Sequence, residues 1–136
     1  MEDRYLFKAK GVDDGEWVQG CYIYNIDRDC SESLNKFAHR IQPLYAHAYA
    51  EPIDPTTICQ CTGLNDKNGK LIWENDIVVC RDFTEEKYVI AWKQDEACFE
   101  YQQYGCSIMN FEQLSGCEIE VIGNIFDNYE LLESEE

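Results

Sequence analysis

Short stretches of alternating apolar and polar residues, separated by turn-forming residues, run along most of the chain. A period of two indicates half-buried β-strands. The clearest turn lies at residues 66–69, Asp-Lys-Asn-Gly, between the strand-like residues 58–62 and 71–73. Asn-Gly tolerates positive φ and Asp accepts hydrogen bonds from nearby backbone, so a β-hairpin is predicted, with positive φ at Gly69. A second reversal is expected at Asn75, before another β-branched run.

The same alternation predicts strands on both sides of this hairpin. An N-terminal hairpin is expected from residues 5–10 and 16–24, with Trp17 in the core and a ligand-stacking role as the alternative. Later strands are expected at 77–81, 88–92, 97–101 and 118–122, with a bulge at Gly123 and a short turn or helical segment at 108–114. We therefore predict a mainly β, β-rich α+β fold, in which short antiparallel strands form a small rolled sheet or a partly open barrel.

Residues 25–50 interrupt the strand pattern, and an insertion is expected there. A possible short helix in this N-terminal half would begin at the Ser31 cap, end before Pro43 and place Leu34, Phe37, Ala38 and Ile41 on one face. The predicted organisation is a single domain over residues 1–132, with a motif-bearing β core at 53–132 and an acidic tail at 133–136.

The charge balance excludes several classes of partner. The chain has 11 Lys and Arg against 27 Asp and Glu, a formal charge of −16, and its basic residues lie close in sequence to acidic ones. Such a chain repels phosphate, so direct binding to DNA, RNA or an anionic membrane is disfavoured. Residues 1–4 lack the apolar run of a signal peptide, which predicts a cytoplasmic protein.

Eight cysteines raise the question of disulfides or zinc. They are scattered without a Cys-x-x-Cys pair, at Cys21, Cys30, Cys59, Cys61, Cys80, Cys98, Cys106 and Cys117. This spacing predicts reduced thiols without metal. Cys59 and Cys61 would share one face of a strand, so a thiolate pair for a metal is the alternative.

The remaining candidates for chemistry are two histidines and two aspartates. His39 and His47 are eight residues apart, which predicts a surface His39 and a half-buried His47 in preference to a shared metal or acid–base site. Asp76 and Asp127 are expected to cap turns, with a carboxylate site as the alternative. No catalytic, cofactor-binding or metal-binding residue is predicted, and the chain is not expected to be an enzyme.

Several of these segments resemble motifs of the YopX family of phage and prophage proteins. The similar segments are residues 14–20, 52–57, 62–64, 67–69, 74–78 and 120–132, in that order. Asn75 stands where the family usually has Gly, and Tyr129 replaces a usual Pro. The resemblance implies a small β protein of a bacterial host cell, with residues 25–50 as a variable insertion. It implies no reaction, because the family has no established biochemical function.

Two functions are consistent with these observations. The first is a non-catalytic protein-binding or self-assembly module, which contacts another protein or another copy through strand edges and aromatic side chains. The second is an acidic decoy that mimics nucleic-acid phosphates and occupies a basic host or phage protein.

Overall fold

The chain folds into two antiparallel sheets. The computed structural model describes residues 5–24, 38–43, 49–80, 84–95, 97–103, 106–110 and 119–133. Strands make up 61% of the structure against 8% helix, which confirms the mainly β class, and no closed barrel forms over the described residues. The chain divides into two compact units, Met1–Cys61 and Thr62–Glu136, with the boundary inside a strand. The predicted single domain of 1–132 remains a prediction.

The first unit is built around the predicted N-terminal hairpin. Its strands are β1 (Phe7–Lys10), β2 (Trp17–Tyr24), β3 (His39–Pro43), β4 (Glu51–Pro52) and the first half of β5 (Cys59–Asn65). They lie in the order β4-β3-β2-β1-β5, and a 3-10 helix at Pro55–Thr57 precedes β5. This helix forms a turn that leads into β5. Asp54 caps that turn by accepting a hydrogen bond from the Thr56 N–H at 3.0 Å.

Strand register decides which side chains of the first unit are buried. Ala9 lies opposite Val18, and both pack with Ile41 and Ile53 in a buried cluster. Gly20, on the same face, lies opposite Pro43 in the β2–β3 ladder. Residues that alternate with this set point to the other side of the sheet.

The second unit contains the remaining strands. They are β6 (Leu71–Trp73), β7 (Asp76–Cys80), β8 (Thr84–Lys93), β9 (Cys98–Gln103), β10 (Cys106–Asn110) and β11 (Glu120–Asn124), followed by the short helix α1 (Glu130–Glu133). The last five strands form one sheet in the order β10-β9-β8-β7-β11, and β6 pairs with the second half of β5. The central hairpin is therefore confirmed.

One face of the second unit's sheet forms its core. Its buried members are Val78, Tyr88, Ile90, Tyr101 and Val121 from this sheet and Ile72 from β6, with Phe99 and Ile119 packed against them. The register of β11 against β7 shifts between Val121 and Gly123, which confirms the predicted irregularity there. A Cβ at Gly123 would lie 2.6 Å from the Asn128 side-chain oxygen, so this strand position requires a glycine.

Two local predictions were wrong. Ile41, placed on a helix by its spacing, lies in strand β3, and residues 31–37 of the predicted helix lie outside the described residues. Residues 108–110, expected in a turn or helical segment, belong to β10, because β9 supplies a hydrogen-bonded neighbour for them. In both cases pairing with neighbouring strands of the sheet overrode the local periodicity.

The two predicted turns have the expected backbone. Gly69 has a φ of +82° and Asn75 a φ of +72°. Asn75 thus keeps the left-handed conformation at a position where glycine would also fit. Its N–H donates to the Ile90 carbonyl at 2.7 Å and its carbonyl accepts from the Ile125 N–H at 3.1 Å, so this turn is hydrogen-bonded to strand β8 and to the residue that follows β11.

We expect Gly69→Val to lower the free energy of unfolding by about 1–3 kcal/mol, because a β-branched residue is strained at positive φ. A Cβ at Gly69 would meet nothing within 4 Å, so backbone strain is the only cost. The measurement is chemical denaturation of the whole chain. Gly69→Asn is the matched control and should lose less, because Asn tolerates this conformation. Equal midpoints for Gly69→Val and the parent chain would contradict the turn.

Candidate functional surface

Trp17 is not a core residue, contrary to the sequence prediction. It is half-buried, and it lies opposite Lys10 in the β1–β2 ladder, on the side of the sheet away from Ala9 and Val18. The Nζ atoms of Lys8 and Lys10 lie 4.6 and 5.4 Å from the centroid of its ring. Two ammonium groups therefore lie close to one indole ring, and the ring quadrupole attracts each of them.

The three adjacent strands β1, β2 and β3 contain no Asp or Glu, although the chain has 27 in 136 residues. Arg40 alternates with the buried Ile41 in β3 and is exposed, so it lies on the same side as Trp17. We call the set Lys8, Lys10, Trp17 and Arg40 the basic face. Basic residues were expected to lie among acidic ones, but strand alternation places these three cations on one side of the sheet, Lys8 and Lys10 beside Trp17 and Arg40 opposite Ile23 in the β2–β3 ladder.

Acidic residues concentrate in the second unit. It has 17 Asp and Glu against 5 Lys and Arg, whereas the first unit has 10 against 6. Near its end Tyr129 is 56% exposed, and the neighbouring Asp127 and Glu130 are also exposed. We call residues 127–130 the acidic segment. It combines an accessible aromatic ring with two carboxylates at the surface.

The two candidate aspartates have structural roles in turns. Asp76 is buried, and its Oδ2 accepts a hydrogen bond from the Trp73 N–H at 2.8 Å, which confirms turn capping. Asp127 Oδ2 accepts from the Asn124 side-chain amide at 3.2 Å, while Asn124 Oδ1 caps the turn by accepting from the Asp127 N–H at 2.9 Å. Asn124 is thus the capping residue of that turn, and the exposed Asp127 holds the Asn124 side chain by accepting its amide hydrogen bond.

His39 belongs to an aromatic cluster, whereas His47 lies outside the described residues. The Tyr22 hydroxyl and His39 Nδ1 are hydrogen-bonded at 2.5 Å, and the Tyr24 ring centroid lies 4.6 Å from that of His39. His39 is half-buried, so the expected surface position was wrong. Burial raises the pKa of the Tyr22 phenol, and the nearby Tyr24 raises it further. At one end of the cluster the Tyr22 ring contacts Phe7, which packs against the core, and at the other end Tyr24 is 54% exposed.

Comparison with known proteins identifies the family. A family model described as YopX protein matches residues 6–133. The chain belongs to the YopX family. No curated protein matches it. Family membership supports a phage-type protein of unknown function. The match covers both units, so the basic face and the acidic segment lie within the YopX region.

Among the described residues of this YopX protein, no helix is long and apolar enough to cross a membrane, and no three His, Cys, Asp or Glu side chains could together hold a metal ion. Cys59 and Cys61 are both buried in β5, as their spacing allowed. The Cys59 thiol donates a hydrogen bond to the Thr57 carbonyl at 3.3 Å, which gives it a structural role at the end of the 3-10 helix.

We expect alkylation of the native YopX protein to follow burial, because only an accessible thiolate reacts. Cys21, Cys59, Cys61, Cys80 and Cys98 are thiols. Cys59, Cys61 and Cys80 are at most 1% exposed, whereas Cys21 and Cys98 are partly exposed. In pulse alkylation followed by peptide mass mapping, Cys21 and Cys98 should be labelled first. In denatured protein these five cysteines should all be labelled at similar rates. Early labelling of Cys59 or Cys61 in the native protein would contradict their burial.

Proposed function

We propose that this chain is a non-catalytic module of phage or prophage origin, which binds another protein or another copy of itself in the cytoplasm of a bacterial host cell. The observation that carries the proposal is the basic face. Trp and Arg are enriched at the energetic centres of protein interfaces, and Trp17 and Arg40 share this face with two lysines.

Exposed aromatic side chains support the same proposal. They occur in both units, at Tyr5, Tyr24, Tyr49, Trp92 and Tyr129, each at least 40% exposed. Tyr and Trp bury large areas on association with little loss of side-chain entropy, so such residues suit a binding surface. Trp92 is also held in place, because its ring packs edge-on against Phe99 and its Nε1 donates to Gln94 Oε1 at 2.8 Å.

A non-catalytic role is supported by the way the buried carboxylates are used. Asp66 and Asp76 accept hydrogen bonds from backbone N–H groups, and Glu100 accepts one from the Gln102 side chain at 2.8 Å. Carboxylates engaged in this way hold turns and strands, and general acid–base chemistry needs a group presented to a substrate. We propose that no cofactor takes part.

The alternative function is an acidic decoy for a basic host or phage protein. The excess of 17 acidic over 5 basic residues in the second unit favours it. A decoy would bind mainly through this charge, and its affinity would fall steeply as salt is raised. A module that binds through aromatic and apolar burial would depend only weakly on salt.

The test is binding by the purified full chain. We expect no measurable affinity for DNA or RNA near physiological salt, because a charge of −16 repels phosphate. A protein captured from host extract should then be purified and its affinity measured across a salt series. Weak salt dependence supports the module, and a steep loss of affinity for a basic partner supports the decoy. Direct nucleic-acid binding would overturn both.

A further inference from the structure

One asparagine of the sequence is followed directly by glycine, and it lies in the turn between β5 and β6. Asn68 and Gly69 are both exposed, whereas Asp66 in the same turn is buried. A Cβ at Gly69 would meet nothing within 4 Å, and glycine itself has none, so the Gly69 nitrogen is sterically open to the Asn68 side chain. These are the two groups that react with each other in asparagine deamidation.

We propose that Asn68 is a site of spontaneous covalent modification, and that the turn held by Asp66 suppresses the reaction in the folded protein. This inference goes beyond the proposed function and does not depend on it. The only co-reactant is water.

The reaction begins when the Gly69 nitrogen attacks Asn68 Cγ. A bond forms between these two atoms and the bond from Cγ to Nδ2 breaks, so Nδ2 leaves as ammonia with the proton that the Gly69 nitrogen gives up. Water then opens the cyclic imide without any change of oxidation state. Cleavage of the new bond gives aspartate at position 68, and cleavage of the original peptide bond gives isoaspartate.

The folded turn opposes the first step. The Gly69 N–H donates to the Asp66 carbonyl at 3.0 Å, and the Asp66 N–H donates to the Lys70 carbonyl at 2.7 Å. Asp66 Oδ1 also accepts from the Asn68 and Lys70 N–H groups. A hydrogen-bonded N–H gives up its proton less readily, and the adjacent carboxylate charge opposes a negative amide nitrogen. The reaction therefore proceeds through conformations in which the turn is open.

Modification at Asn68 changes the turn permanently. Isoaspartate routes the backbone through the side-chain methylene of residue 68, which lengthens the chain between the two N–H groups that Asp66 Oδ1 holds. The other oxygen of Asp66 accepts from the Val121 N–H, so the same event weakens the attachment of the central hairpin to β11. Water does not regenerate asparagine, and the change is irreversible.

The experiment is peptide mass mapping of the full chain, incubated folded or unfolded in urea in the same buffer and at the same temperature. Asn68 should be modified about tenfold or more faster in the unfolded chain, because the turn is then open throughout. Asn65 and Asn75, each followed by Asp, are internal controls and should react more slowly than Asn68 in urea, since a side chain hinders the attacking nitrogen.

Asp66→Ala should raise the rate at Asn68 in the folded chain, because it removes the hydrogen bonds to the Asn68 and Lys70 N–H groups. Asp54→Ala is the matched control. It makes the same change of charge and removes a carboxylate that caps another turn, through the Thr56 N–H, so the rate at Asn68 should stay that of the parent chain. Circular dichroism and thermal melts establish that each variant is folded.

Amide hydrogen exchange of the parent chain provides a test that needs no variant. The protection of the Gly69 N–H should match the slowing of modification at Asn68 to within about threefold, because both require the same opening. An unprotected Gly69 N–H, an equal rate at Asn68 in folded and unfolded chain, an unchanged rate in folded Asp66→Ala, or a rate in urea no higher than at Asn65 and Asn75 would each overturn the proposal. None of these outcomes bears on the binding test of the proposed function.

Discussion

Gly20→Ala should lower the free energy of unfolding by about 3 kcal/mol or more, because a side chain there collides with backbone. A Cβ at Gly20 would lie 2.0 Å from the Gln42 carbonyl oxygen and 2.8 Å from its carbon. The colliding atoms belong to β3, the hydrogen-bonded neighbour of β2, so no rotamer change relieves the contact. The two strands must separate, or the ladder between Gly20 and Pro43 must break.

This result opposes what strand propensity predicts. Glycine weakens a strand interior, so replacing one by alanine ordinarily gains stability. Gln19→Ala, at the exposed neighbouring position of the same strand, is the control and should stay within about 0.5 kcal/mol of the parent chain. Urea denaturation of both variants at 25 °C decides whether Gly20→Ala lowers or raises the free energy of unfolding. A Gly20→Ala protein as stable as the parent would show that β2 and β3 do not approach this closely.

The elements predicted correctly are those whose signals are local. A turn of the Asp-Lys-Asn-Gly type fixes its own backbone, and Gly69 and Asn75 have the positive φ angles that their residue types favour. The alternation of apolar and polar residues predicted the ends of most strands to within a few residues. It failed for β10, where pairing with β9 supplies the reason for the strand, and at Ile41, whose spacing from Ala38 fits a helix while its neighbours in space are β2 and β4.

The candidate surface was less predictable, because it depends on which face of each strand is buried. Trp17 and Val18 are adjacent, and apolarity alone favours burying either; the register with Ala9 and Lys10 settles it. The basic face was missed for the same reason, since Lys8, Lys10 and Arg40 lie on one side of the sheet only through strand order and register. One signal was present in the sequence: the strands that carry them contain no acidic residue.

Asp66 connects these local and long-range effects. Its Oδ1 accepts hydrogen bonds from the Asn68 and Lys70 N–H groups at 2.8 and 2.9 Å, as the turn sequence indicated. Its Oδ2 accepts from the Val121 N–H at 3.0 Å, across 55 residues of chain, which no local pattern predicts. The neighbouring Lys67 N–H donates to the Ile119 carbonyl at 2.8 Å. The turn therefore attaches directly to the start of β11.

We expect Asp66→Ala to lower the free energy of unfolding by about 2–4 kcal/mol, because it leaves three N–H groups without their carboxylate, one of them buried. Asp66→Asn should lose less, since one oxygen acceptor remains. Asp95→Asn removes an exposed carboxylate of the same unit and is the control. Urea denaturation at neutral pH gives the three values, and equal stabilities for Asp66→Ala and Asp95→Asn would contradict the role of the turn.

The pH dependence of this effect has a definite sign. Burial raises the pKa of the Asp66 carboxyl, but hydrogen bonds from the Val121, Lys70 and Asn68 N–H groups and the charge of Lys70 outweigh burial, and the pKa falls below its ordinary value of 3.8. The folded state therefore holds the proton less tightly than the unfolded state does. The stabilisation from the charged carboxylate is complete above the ordinary pKa and is lost as the pH falls through the lowered one.

Denaturation of wild type and Asp66→Asn from pH 7 downward should give a stability difference that is constant at first and shrinks below about pH 4. A difference that grows as the pH falls would mean that the protonated form is the one the turn holds.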